Sequence, residues 1–197
     1  MRGDLAEIGF VMDRSGSMSS LESDAVGGYN SFVWEQQKAP GEARFSLVLF
    51  NHTYRLEHNG VAIGSVPPLT RDKYQPAGFT ALNDAVGRTI DELGTRLAGL
   101  GEPERPGKVI IVILTDGMEN ASSDYSTAKV GAMIEHQQRH YGWEFIFLGA
   151  NQDAFKEAAK IGIVKTANVK NFVMTPESLK RTYADTSSLV TLYRSEN

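Results

Sequence analysis

Asp13, Ser15 and Ser17 stand at alternate positions of the segment VMDRSGSMSS, residues 11 to 20, with Ser19 and Ser20 close behind and Gly16 between them. An apolar run leads into this segment, so the oxygens gather where a buried strand ends. Two further oxygen sources lie downstream: Thr80 in AGFTALNDA and Asp116 in VIIVILTDG. Two carboxylates and three hydroxyls, without nitrogen or sulfur, suit a hard cation with six oxygen ligands, magnesium first and manganese or calcium next. In Asp-x-Ser-x-Ser, a turn leaving the strand directs the side chains at 13, 15 and 17 inward, and Gly16 lets the backbone bend closely around an ion.

Such residues need a scaffold that brings them together, and the apolar runs describe one. Strands are expected at 5–12, 44–50, 54–61, 109–115 and 143–150, with a weak one, IGIVKTAN, at 161–168. Three of these runs are almost continuously apolar and rich in β-branched or aromatic residues, as strands buried on both faces of a parallel sheet are. Helix-like segments at 19–38, 80–98, 125–140, 153–160 and from 176 to about 193 alternate with them. The alternation predicts an α/β, Rossmann-like, doubly wound sheet of order 3-2-1-4-5-6 with helices on both faces.

One connection departs from the parallel rule. Only Asn51, His52 and Thr53 separate the second and third runs, whereas a parallel crossover needs about a dozen residues, so a hairpin and an antiparallel edge strand are expected there. In an open α/β sheet the binding crevice lies beyond the carboxyl ends of the strands, where strand order reverses. Strands one and four are neighbours at that point, so Asp13 and Asp116 should share one crevice, with Thr80 on its rim. Thr175 before Pro176 reads as a helix N-cap with proline at the first helical position.

Composition bounds the rest. The chain has 197 residues, 41% of them hydrophobic, enough for the core of one domain over 1–197. A net charge of −4 with interspersed signs gives no reason to expect nucleic acid or membrane as partner. There is no cysteine, which excludes disulfides, thiolate metal sites and cysteine nucleophiles. No leader pattern and no apolar stretch of about 18 residues is found, so a cytoplasmic location is expected.

DRSGSM, the threonine of GFTAL and the aspartate of LTDG, in this order on an α/β pattern with an early hairpin, resemble the von Willebrand factor A domain and its metal-ion-dependent adhesion site. The resemblance spans roughly the whole chain and is similar to intracellular prokaryotic members. It implies that Ser15 and Ser17 bind the ion directly, that Thr80 does so directly or through water, and that Asp13 and Asp116 act largely through water. It further implies a protein partner that completes the coordination with an Asp or Glu side chain, an ATPase or larger assembly being the usual company.

Other readings fare less well. Ser17 or Ser19 as a mere cap of the helix near Leu21 leaves Thr80 and Asp116 to coincidence. A serine nucleophile lacks the G-x-S-x-G elbow and a late histidine, and nucleotide binding lacks both glycine-rich phosphate motifs. A metal-assisted hydrolase of a phosphate or ester is the alternative function, opposed by the lack of an evident general base. His136 and His140 stand at i, i+4 but without the glutamate of H-E-x-x-H, and read as surface residues. Arg2-Gly3-Asp4 is assigned no role. Glu119 and Asn120 are read as rim residues or solvated loop, Asn151 and Asp153 as a further border of the crevice, with Asp153 more simply an acid in the first turn of the next helix, and Phe79 and Met118 either as partner contacts or as packing.

Overall fold

A computed structural model describes residues 1–150 and 154–196. Six strands form one sheet in the order β3-β2-β1-β4-β5-β6. They are β1 (Arg2–Asp13), β2 (Glu42–Phe50), β3 (Tyr54–Ala62), β4 (Pro106–Thr115), β5 (Glu144–Ala150) and β6 (Val169–Phe172). All neighbouring pairs run parallel except β2 with β3, which the Asn51–Thr53 turn makes an antiparallel hairpin. Inside the turn, Asn51 Oδ1 accepts from the Thr53 amide at 2.8 Å, the local bond that suits asparagine to such positions. β3 is the expected edge, irregularly paired and carrying Arg55, Glu57 and His58.

Helices α1 (Glu22–Lys38), α2 (Leu82–Ala98), α3 (Thr127–Tyr141), α4 (Ala154–Lys160) and α5 (Pro176–Ser195) cover the sheet. Side chains alternate across the central strand. Ala6, Ile8, Phe10 and Met12 join the layer under α1 and α5, while Val11 joins the layer under α2, α3 and α4. In the first layer Phe10 meets Tyr29 and Phe32 edge-on at centroid distances of 5.6 and 5.2 Å. In the second, Glu7 is fully buried, held by Arg96 at 2.6 Å and the Ser46 hydroxyl at 3.0 Å.

Several element boundaries differ from the sequence reading. The last strand is not at 161–168 but at Val169–Phe172. Ile161 and Ile163 are apolar because they pack inward from the turn after α4, which Gly162 permits at φ +81°, whereas the real strand is a short edge with two polar residues. The first helix is preceded by a 3-10 turn, Gly16–Leu21, and the second begins two residues late because the Ala81 amide donates to the Asn51 carbonyl at 2.9 Å. Thr175 caps α5 as expected, its hydroxyl accepting from the Ser178 amide at 3.3 Å. No described helix is long and apolar enough to cross a membrane.

Adjacent glycines of α1 give a paired test of this packing. A Cβ on Gly28 would lie 2.2 Å from the buried Tyr183 ring, while one on Gly27 meets nothing within 4 Å. Gly28→Ala should lower the melting temperature through overpacking of about 1–3 kcal/mol. Gly27→Ala should raise it through helix propensity, by about 0.5–1 kcal/mol. Thermal unfolding followed by circular dichroism decides both signs.

Candidate metal centre

The parallel register of β1 and β4 pairs Met12 with Leu114, which brings Asp13 beside Thr115 at the carboxyl edge of the sheet. Asp13 is fully buried there. Its Oδ2 accepts from the Thr115 hydroxyl at 2.7 Å and its Oδ1 from the Ser15 amide at 2.7 Å, which turns the chain sharply as it leaves the strand. The Ser15 and Ser17 hydroxyls then lie 3.0 Å apart, and Ser17 Oγ donates to Asp116 Oδ1 at 2.7 Å. A continuous run of oxygen atoms therefore connects the ends of two strands. Neither Ser17 nor Ser19 caps α1; Ser19 instead donates to the Gly16 carbonyl at 2.7 Å.

Thr80 reaches the same crevice from the loop before α2. A Cβ on Gly117 would stand 2.8 Å from Thr80 Oγ1 and 3.5 Å from Ser17 Oγ, so the bare glycine is what lets the LTDG turn approach both hydroxyls. The Gly16 amide donates to the Gly78 carbonyl at 3.0 Å, and Ala77 donates to the Arg14 carbonyl at 2.9 Å, closing the DRSGSM loop against the 77–80 segment. Gly78 sits at φ +75°, with His52 against the position a side chain would take. All of Asp13, Ser15, Ser17, Thr80 and Asp116 thus border one crevice. The donor set fits a hard cation: neutral hydroxyls line it and two carboxylates supply the charge. No cluster of three or more His, Asp or Glu side chains suited to a metal occurs among the described residues.

Burial pushes the Asp13 carboxyl up to about 6, against the lowering effect of Thr115 and Ser15 and with a smaller push from Asp116. Burial also raises Asp116, while the Ser17 hydroxyl opposes it.

Several residues that hold this arrangement carry no chemistry of their own. Glu119 is not a rim ligand: its carboxylate accepts from the Asn83, Ala121 and Ser122 amides and the Ser122 hydroxyl, all within 3.0 Å, bracing the first turn of α2. Asn120 clasps Thr80, its Oδ1 accepting from the Thr80 amide at 2.9 Å while its own amide donates to the Thr80 carbonyl at 3.0 Å. Asp84 receives three amides, of Ser123, Asp124 and Tyr125. The buried Tyr74 hydroxyl donates to the Asp13 carbonyl at 2.5 Å. Phe79 and Met118 do not pack inside; they are 69% and 67% exposed. Asn151 and Asp153 lie outside the described residues, and His136 and His140 are exposed on α3, remote from the crevice in sequence and element, with rings stacked at 4.4 Å.

A family model described as von Willebrand factor type A domain matches residues 7–185. Proximal thread matrix protein 1 from the mussel byssus superposes with a TM-score of 0.63 at 18% identity, over 95% of this chain and 46% of its own. A structure of the same mussel protein with a zinc-occupied MIDAS motif gives 0.60 at 18% identity, over 94% and 46%. The von Willebrand factor type A protein from Catenulispora acidiphila gives 0.57 at 16% identity, over 93% and 42%. At these identities the likeness is one of fold. The chain spans less than half the length of these structures. No curated protein matches the sequence.

The buried Asp13 carboxylate generates a prediction for the metal-free protein. Its ionisation inside the fold costs stability that is absent below the ordinary value of 3.8 and grows as pH rises towards about 6. Asn at this position keeps partners for Thr115 and Ser15 without the charge. In chelator at pH 7.5, Asp13→Asn should therefore melt several degrees higher than the parent, a gain on the order of 2–3 kcal/mol. The gain should vanish near pH 4. Magnesium titrated by calorimetry should bind the variant far more weakly.

Proposed function

The chain belongs to the von Willebrand factor type A domain family, and from that premise we propose that it is a metal-dependent protein-binding module. Domains of this family are in general interaction modules. The observation that carries the reading is the run of oxygens from Asp13 through Ser15 and Ser17 to Asp116, with Thr80 beside Gly117, at the sheet's reversal point. Ser15, Ser17 and Thr80 would hold the ion through their hydroxyls, and Asp13 and Asp116 would act on it largely through water. The mussel relative's motif holds zinc; the oxygen-only donors of this chain favour magnesium, with manganese or calcium next.

When bound, the cation supplies an electrophilic position that an outside carboxylate can fill. The protein's own contribution is to keep that position reactive. Its innermost donors are neutral hydroxyls, and Ser17 turns its proton towards Asp116, which leaves hydroxyl lone pairs free. The partner is therefore a protein that presents an Asp or Glu side chain, and an ATPase or a larger assembly is the company the family suggests. Glu119 and Asp84, acids of the flanking loop and of α2, accept backbone amides and do not stand ready as a general base. That favours binding over hydrolysis.

The test uses whatever protein is retained from lysate by the chain in magnesium and released by chelator. Its affinity should fall at least about tenfold when the ion is removed, the scale of losing a charged contact at an interface. Manganese should substitute for magnesium. Thr80→Ala should weaken the partner more than it weakens the metal. Chelator-insensitive binding removes the proposal, and metal-dependent turnover of a phosphate or ester lost in Asp13→Asn moves the reading to hydrolysis.

A further inference from the structure

The mouth of the crevice carries two large apolar side chains that nothing covers. Phe79 is 69% exposed and Met118 is 67% exposed. Phe79 directly precedes Thr80, and Met118 directly follows Gly117, the glycine that packs against the Thr80 hydroxyl. Both stand on braced backbone. The reciprocal bonds between Thr80 and Asn120 hold the two segments together, and Glu119, next to Met118, is tied to the first turn of α2. Their exposure is therefore a feature of a fixed surface. Paired exposed apolar groups beside a polar site mark an interaction surface, with phenylalanine as a rigid anchor and methionine as an adaptable one.

We propose that the site takes a protein loop bearing an Asp or Glu flanked by apolar side chains, which Phe79 and Met118 receive beside the metal-bound carboxylate. This rests on the metal-dependent reading above and names the chemistry of its partner. The carboxylate supplies the metal bond, and the apolar flanks decide which carboxylate is accepted.

The probe is a displayed library of constrained loops, each with one fixed central glutamate and random neighbours, panned against the manganese-loaded full chain and eluted with chelator. Enriched loops should carry Leu, Ile, Met, Phe or Trp beside the glutamate. As a synthetic peptide, the best loop should bind the Phe79→Ala/Met118→Ala double variant about tenfold or more weakly, the scale of losing an interface anchor. Manganese affinity should be unchanged, and the two single variants should each show part of the loss. Enrichment of loops without apolar neighbours of the glutamate, or equal affinity for the double variant, overturns the apolar-flank proposal while leaving the metal-bridged one standing. Enrichment only of loops that chelator does not release overturns the metal-bridged reading, and this one with it.

Discussion

The parallel pairing of β1 with β4 is the constraint on which the crevice depends. These strands are distant in sequence, and the register that sets Met12 opposite Leu114 decides that Asp13 lies beside Thr115 and that Asp116 emerges one residue beyond. A slip of one residue would turn Asp13 to the other face of the sheet and break the bond to Thr115. The register is held by layers of side chains on both faces, Ile8, Phe10 and Met12 against α1 and α5, and Val11 with Ile111 and Ile113 against α2 and α3. Core packing and site geometry are in this sense one problem.

Loops rather than strands complete the crevice, and they are secured by acids used as acceptors of backbone amides. Glu119 and Asp84 each gather several amide donors, and Asn120 returns a bond for the one it receives from Thr80. At the start of α2, which has no side-chain cap of its own, Glu119 satisfies the Asn83 amide and the Ser122 hydroxyl the Asp84 amide. The arrangement leaves the two carboxylates at the strand ends, Asp13 and Asp116, as the acids that face the hydroxyls. Both are raised by burial, and a cation among the hydroxyls would relieve the cost of their charge. Under this reading, affinity for a metal and instability without one have the same origin.

Much of this was legible in the sequence because the informative residues are local. Continuous apolar runs ended at Asp13 and Asp116, and the three-residue connection at Asn51–Thr53 could only be a hairpin, so the strand order and the meeting of the site residues followed from topology. The last strand was not legible: Val169–Phe172 is short and half polar, while the apolar Ile161 and Ile163 that imitated it serve packing after α4. The braces were not legible either. Tyr74 reaches Asp13 across 61 positions and Asn120 reaches Thr80 across 40, and both act on backbone atoms, which leave no mark in side-chain patterns. The exposure of Phe79 and Met118 likewise required the folded surface, since an apolar residue beside a site reads equally as core.

In this picture the hydroxyls of Ser15, Ser17 and Thr80 converge to hold a hard cation between the ends of β1 and β4. Anomalous diffraction from crystals grown with manganese locates the ion directly. One strong peak is expected, bordered by Ser15 Oγ, Ser17 Oγ and Thr80, at distances of about 2.0–2.3 Å for direct ligands, with Asp13 and Asp116 behind them. A peak at His136 and His140 with none in the crevice, or an ordered crevice empty at saturating manganese, would contradict it.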